Sequence, residues 1–431
     1  MARRVGPIVK PLVLDTMCAN LAPMLTQTLL ETARSLNPET VKLRRAIHAE
    51  PELGLHCPMT MAKVREALAG LPLDWKRGPS TTGEVATMVG GKAGAAGKSG
   101  RGSRRVLLRG DMDALPMDEK TGLEFASTIS GRMQACGHDT HTAMLVSAAK
   151  LLCSMQGELA GTVDFMFQPG EEGHHGARFM LDDGLIDPLP DAAFALHIMP
   201  NAKFGVVAGR AGPLMAAADQ FTITVKGKGG HASMPHDCAD PIPAAAAIVS
   251  ALQAMVTRRF KASDAVIVTV ARMEAGTTFN VIPDEAVLQG TIRTLSHDHR
   301  EKVHDLLSQT ARATAEAHGV VAEVAIERGF PVTICDERAV RLGQKVARGL
   351  GDIDEGWHDL PAPIMGAEDF SYVLEKVPGA MFFLGVAPEG DNWSACCAIH
   401  SPRMHVDETA LPRGVAMLAG CALEFIEEGF A

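Results

Sequence analysis

The sequence predicts an α/β protein with a mixed, substantially parallel sheet and an inserted ferredoxin-like α+β domain. Three observations predict it. Short apolar runs of strand length alternate with helical stretches through the first half of the chain. Between residues 215 and 328 the pattern changes to β-α-β-β-α-β, the split-βαβ order. The chain also has 431 residues, more than one hydrophobic core usually organises. The implied division is a larger domain in two parts, 1–214 and 329–431, with a second domain at 215–328 between them.

Residues 1–25 read as a loose extension whose apolar runs are broken by Pro7, Lys10, Pro11 and Asp15. That is neither a signal peptide nor a membrane span. A helix is predicted from Leu25 to Leu36, and Asn37-Pro38 should restart one, with Asn37 as N-cap, ending near Pro51. The Gly-rich, basic stretch 90–105 reads as a flexible surface loop between strands. Its glycines lack phosphate-loop spacing, and the apolar strand follows rather than precedes them.

Buried strands are predicted at Val106–Arg109, Thr162–Phe167, Ala192–Leu196 and Met381–Gly385, with a helix from about Thr142 to Met155. In the second domain, strands are expected at Phe221–Val225, Ala265–Ala271, Ala286–Thr294 and Val320–Ile326. Its helices are expected at Pro241–Arg258 and 298–318.

The formal net charge of −10 argues against a nucleic-acid or anionic-membrane partner. Nine cysteines, an odd number at irregular spacing, argue against a disulfide framework and for a reducing compartment, so the protein reads as cytoplasmic. The adjacent Cys396-Cys397 pair reads as packing.

Ligand-type residues follow nearly every predicted strand of the larger domain, where ligands collect in α/β sheets. Asp111 and Asp113 follow the first, Glu171 and Glu172 the second, His197 the third, and His400 lies about 15 residues past the fourth. In C-G-H-D-T-H, Cys136 and His138 are good ligands for zinc or a similar divalent ion, and Gly137 allows a tight bend between them. Each residue taken singly has a bland reading. Cys-X-His recurs by accident, a Glu pair is commonly solvated, and a lone histidine such as His197 or His400 is commonly a satisfied core residue. Asp113 fits either a turn or cap aspartate or a carboxylate orienting a ligand histidine. His141 falls in the first turn of the following helix, and His174 and His175 lie just past the Glu pair. After Pro169-Gly170 breaks the strand, one carboxylate of the pair can bind metal while the other acts as general base.

In order, the chain reads R-R-A-I-H-A-E-P-E-L-G (44–54), R-G-D-M-D-A-L-P (109–116), A-C-G-H-D-T-H-T-A-M-L (135–145) and Q-P-G-E-E-G (168–173). Then follow G-K-G-G-H-A-S-M-P-H (227–236), F-N-V-I-P-D (279–284), G-T-I-R-T (290–294), M-G-A-E-D-F-S (365–371) and H-S-P-R (400–403). With this ordered set the chain resembles, from about residue 38 to 425, the aminoacylase/carboxypeptidase family of dinuclear metallohydrolases. Within it, the resemblance is to amidohydrolases such as hippurate hydrolases, N-acyl-amino-acid deacylases and indole-acetyl-amino-acid hydrolases.

The resemblance implies a metallopeptidase-like catalytic domain with the inserted domain as a lid. It implies two divalent ions (zinc, manganese, cobalt or nickel) bridged by Cys136, with His138 and Glu172 completing one shell and His197 and His400 the other. Glu171 falls on the general base and Asp113 on the orienting carboxylate. In the lid, His231 matches a histidine that holds the scissile carbonyl, often from a partner subunit, and Asn280 and Arg293 match substrate-binding positions. The implied reaction is hydrolysis of a small N-acyl amino acid across two ions about 3.5–4 Å apart. Pairing of the lid's outer strand with a second copy would give an isologous homodimer. His174-His175 departs from the small residues usual after the Glu pair. Rival readings are a dipeptidase or N-carbamoyl-amino-acid hydrolase of the same family, a cysteine hydrolase using Cys136 with His138, and a binding protein that keeps the fold.

Overall fold

The central strands of the larger sheet are continuous apolar runs, as expected of parallel strands buried on both faces. Arg105–Asp111, Thr162–Gln168, Ala192–Met199 and Gly379–Gly385 are almost wholly buried and lie side by side, all parallel. The full order across this eight-stranded sheet is Asp74–Arg77, Glu84–Val89, Thr162–Gln168, Arg105–Asp111, Ala192–Met199, Gly379–Gly385, Val207–Gly209, Trp357–Asp359. Antiparallel pairings flank the parallel centre, so the sheet is mixed. Helices Leu21–His48, His138–Ser154 and Leu411–Glu428 pack against one another and share its core. The computed structural model describes residues 21–93, 103–351, 353, 356–388 and 397–430. Most of the N-terminal extension, the centre of the Gly-rich loop and Cys396 lie outside the described residues.

A second sheet has its own core. Its order is Val266–Ala275, Glu285–Thr294, Ala217–Lys226, Val321–Arg328, with every neighbouring pair antiparallel. This is the order a split-βαβ chain produces. Helix Pro241–Arg259 starts at an Asp240 cap with Pro241 in its first turn, and buries Ala244, Ala245, Ile248 and Leu252 along one face. Helix His297–Ala317 is capped by Ser296 and buries Val303, Leu307 and Ala311. These residues form a cluster with Phe221, Ile223 and Leu288, separate from the core of the larger sheet.

Two helix expectations need correction. Leu21–His48 is one continuous helix with Pro38 inside it, and Asn37 is not a cap. An interior proline costs about 3 kcal/mol. The helix is held against His138–Ser154 and Leu411–Glu428, and Thr40 Oγ1 lies 2.6 Å from Ser147 Oγ, so packing overrides the local break. The second helix begins at His138 rather than near Thr142. Gly137 adopts φ 90°, in the left-handed region, and a Cβ there would sit 2.6 Å from Ile198 Cδ1, so only glycine serves this turn. Among the described residues, the one helix long and apolar enough to cross a membrane is Glu408–Glu428, and 89% of its apolar window is buried in the core.

Candidate metal centre

The candidate residues of the larger sheet meet at the carboxyl ends of its parallel strands. Asp111 ends one strand, and Arg109, two residues earlier, is buried in the same strand. A buried guanidinium needs acceptors. Arg109 donates to Asp111 Oδ2 (2.7 Å), Gln168 Oε1 (2.8 Å), Glu368 Oε1 (2.9 Å) and Asp369 Oδ1 (3.0 Å). Asp111 Oδ1 in turn takes the Nδ1 proton of His141 at 2.6 Å, and His141 Nε2 accepts the Ile198 N–H at 2.9 Å. Both ring nitrogens of His141 are committed, so this histidine braces the site and is not a free ligand.

His138 and His197 are held differently. Nδ1 of His138 lies 2.8 Å from the Asp113 carbonyl oxygen, and Nδ1 of His197 lies 2.6 Å from the Ile198 carbonyl oxygen. A carbonyl only accepts, so each Nδ1 carries a proton, and the lone pair of the neutral ring is on Nε2. His197 Nε2 lies 3.3 Å from Cys136 Sγ. His138 Nε2 is buried with no hydrogen-bond partner among the described residues. His197 sits inside its strand rather than past the end, since that strand runs on to Met199.

After Gln168 the chain turns through Gly170 (φ 75°), and Asp113 accepts the N–H of Glu171 at Oδ1 (2.9 Å) and of Glu172 at Oδ2 (3.0 Å). This revises the part expected of Asp113. Its carboxylate is occupied by the two backbone amides and stands 3.6 Å from His138 Nδ1, and its carbonyl is what fixes that ring. Glu172 Oε1 is buried without a well-formed hydrogen bond and lies 3.4 Å from Nε2 of His400. His400 adopts φ 65° and is tied by its N–H to the Ala135 carbonyl at 2.7 Å, beside Cys136.

The donor atoms of Cys136, His138 and His197 lie within 4.8 Å of one another, and so do those of Cys136, Glu172 and His400. Cys136 is shared by these two, and a third set, His138, Glu171 and Glu172, also falls within 4.8 Å, so His138 stands within reach of Glu172 as well as of His197. The residues fit divalent ions on their own chemistry. Two buried atoms, His138 Nε2 and Glu172 Oε1, make no hydrogen bond among the described residues, and burial pushes the Cys136 thiol up to about 12, so a thiolate there calls for an adjacent cation. Burial works against charge on Glu172 too, but His400 and His138 hold its carboxylate below the ordinary range. Glu171 goes the other way. Burial, then Glu368, Glu172 and Asp369, push its carboxyl well above the ordinary range.

The three candidates from residues 215–328 do not join this cluster within one chain. His231 and Asn280 come together on the small ribbon formed by Gly230–His231 and Val281–Ile282, where both are exposed. Ser233 N–H donates to His231 Nδ1 at 3.1 Å, which leaves the proton of the neutral ring on Nε2. Arg293 is partly buried and lines a groove of about 520 Å³ with Gly173, His175, Asp219, Gln220 and Arg328. Arg109, Gln168, Glu368 and Asp369 were not singled out from sequence. Their signal was an arginine inside an apolar strand, which demands buried acceptors.

A cluster of orphaned soft and borderline donors beside a buried carboxyl defines a metal-dependent hydrolase. The family follows from known proteins. The pattern of peptidase family M20/M25/M40 matches residues 107–424, and this chain belongs to that family. It is 35% identical over 396 residues to N-acetylcysteine deacetylase of Bacillus subtilis (91% of this chain, 98% of that protein). It is also 35% identical over 410 residues to the IAA-amino acid hydrolase ILR1-like 2 of Arabidopsis thaliana (93% and 88%). A solved dinuclear metal-binding peptidase of the M20 family from Bacillus subtilis superposes with a TM-score of 0.77 at 32% identity (92% and 99%).

Proposed function

We propose that this protein hydrolyses the amide bond of N-acyl amino acids, releasing a carboxylic acid and a free amino acid. The observation that carries the reading is the placing of Glu171. Its buried carboxyl stands beside the Cys136–His138–Glu172–His197–His400 donors, and its backbone is pinned by Asp113. Those five residues would hold two divalent ions, drawn from zinc, manganese, cobalt and nickel, and a sulfur ligand favours the softer of these over magnesium. Bound there, the ions supply Lewis-acid polarisation of the carbonyl and a more acidic water.

Glu171 takes the proton of the attacking water and returns it to the leaving amine. The Nε2–H of His231 is the donor for the carbonyl oxygen as charge develops on it. In this chain His231 lies on the small ribbon with Val281–Ile282, apart from the metal centre, so it acts through closure of the 215–328 lid or from a partner copy. Arg293 and Asn280 are the proposed contacts for the substrate carboxylate and amide. We place the enzyme in the cytoplasm and assign it a homodimer through the lid, whose surface exposes Phe279, Val281 and Met273.

The test is a metal-supplemented panel of N-acetyl, N-benzoyl and indole-acetyl amino acids, with dipeptides and N-carbamoyl amino acids as rivals, read by amine release. The expected result is turnover of the N-acyl compounds, lost on chelation and restored by divalent ions. Preference for dipeptides or carbamoyl compounds would replace the substrate class. Activity that survives chelation would favour the cysteine-nucleophile reading, with Cys136 and His138.

A further inference from the structure

The two segments that connect the domains run side by side. Gly212–Met215 and Thr333–Cys335 form an antiparallel ribbon, and beyond it Ala218 N–H donates to the Phe330 carbonyl at 3.0 Å. Gly329 sits at the tightest point. A Cβ there would lie 2.0 Å from the Ala218 carbonyl oxygen, so a side chain has no room. Its N–H donates to Asp219 Oδ1 at 2.9 Å, and its carbonyl accepts from Arg300 Nη2 at 2.9 Å and from the Tyr372 hydroxyl at 3.2 Å.

Tyr372 belongs to the larger domain, in the short helix Ser371–Leu374 that follows Glu368-Asp369. It is the single tyrosine of the chain. Its one proton goes to Gly329, so the 2.8 Å contact with His175 Nδ1 is made by an N–H of the histidine donating to the phenol oxygen. Burial pushes the Tyr372 hydroxyl up to about 12, which keeps it a donor. His175 is three residues past Glu172 and takes φ 59°, a left-handed conformation uncommon outside glycine. Its ring also meets Phe330 edge-on, with centroids 5.0 Å apart. The same His175 lines the groove shared with Arg293.

We infer that His175 and Tyr372 are positioning residues: a hydrogen-bonded latch, from the turn that carries Glu171 and Glu172 through the Tyr372 hydroxyl to the Gly329 crossing, sets where the Arg293 side of the groove stands against the metal centre. The inference rests on the hydrolase reading for its kinetic consequence and on geometry alone for the latch. A loosened latch misplaces groups that bind substrate in ground and transition states alike, so the loss should fall on KM.

The experiment compares Tyr372→Phe, His175→Ala and His175→Asn with the wild-type metal-loaded enzyme on the fastest substrate of the panel. Asparagine tolerates the left-handed backbone and keeps an N–H near the Nδ1 position. Tyr372→Phe and His175→Ala should each raise KM about fivefold with kcat within about twofold, as for loss of one neutral hydrogen bond. His175→Asn should recover most of that change. KM unchanged in Tyr372→Phe, or a drop in melting temperature alone, would overturn the assignment. The domain arrangement is read separately by small-angle scattering, which needs no turnover. Tyr372→Phe should enlarge the maximum dimension of the metal-loaded protein. A curve superimposable on wild type would overturn the latch even if the panel showed no hydrolysis, and the panel alone judges the hydrolase reading.

Discussion

Replacing Asp113 by asparagine tests how the acid pair is held. The Asp113 carboxylate accepts two buried backbone N–H groups, from Glu171 at 2.9 Å and Glu172 at 3.0 Å. Hydrogen bonds to a charged acceptor contribute about 1.5–3 kcal/mol each. An asparagine keeps one acceptor oxygen, now neutral, and turns an NH2 toward the other amide, so one bond weakens and one becomes a donor facing a donor. The expected loss is about 2–4 kcal/mol, shared between fold stability and the placing of Glu171. If most of it falls on the transition state, kcat drops by about 30- to 1000-fold. The Asp113 carbonyl survives the substitution, and with it the contact that sets the His138 tautomer. Bound metal per chain, measured by elemental analysis, should therefore stay at the wild-type value while turnover collapses. Metal loss in step with turnover would mean that the carboxylate orients His138 after all. A kcat within threefold of wild type would refute the reasoning altogether.

Three other outcomes are expected. Glu171→Gln should keep its metal and lose about 10²- to 10⁴-fold in kcat, the usual share of a general base; wild-type-like turnover removes Glu171 from that role. Arg109→Met leaves Asp111, Glu368 and Asp369 buried without their shared cation, and urea unfolding should show a loss of about 3–5 kcal/mol. A change under about 1 kcal/mol would mean that the carboxylates find protons or water at little cost. Asp219 is the pH-sensitive case. Burial opposes its charge, but His304, Arg300 and the Gly329 N–H hold its carboxylate well below the ordinary range. A depressed carboxylate stabilises the fold above its unfolded pKa of about 3.9 and loses that contribution as pH falls. The stability gap between wild type and Asp219→Asn should thus be widest near neutral pH and shrink below about pH 4; a gap that widens in acid reverses the sign of the argument.

The strands were legible because a buried parallel strand is written as an apolar run, and Val106–Leu108 and Ala192–Leu196 can hardly be anything else. The split-βαβ segment was legible from the order of its strand-like and helical runs. Two local misreadings share one cause. Pro38 and the Cys136-Gly137-His138 turn follow what distant packing imposes, which a local window cannot register. The donors themselves could be picked out by type and by their position after strands. What holds them could not. Arg109 finds Glu368 and Asp369 some 260 positions away, and whether Asp113 uses its carboxylate or its carbonyl on His138 depends on where two amides of another strand's turn arrive. The second domain was the least legible part functionally. His231, Asn280 and Arg293 are visible as residue types, but their distance from the metal centre depends on how two separate cores are set against each other.

The way the donors are held also constrains how the centre loads. His138 and His197 have their tautomers set by main-chain carbonyls, of Asp113 and Ile198, which no side-chain substitution at those positions removes. Asp113 places Glu172 through its backbone. His138, His197 and Glu172 are therefore in position through the fold itself, and ordering them costs an arriving ion little. Cys136 is the exception, because burial keeps its thiol protonated up to about 12. A thiolate ligand must release that proton as the ion arrives, so affinity should rise with pH. The slope of metal affinity against pH, measured with a competing chelator, should fall by about one proton in Cys136→Asp, whose carboxylate is already ionised. A slope unchanged in that variant would show that the released proton comes from elsewhere in the site.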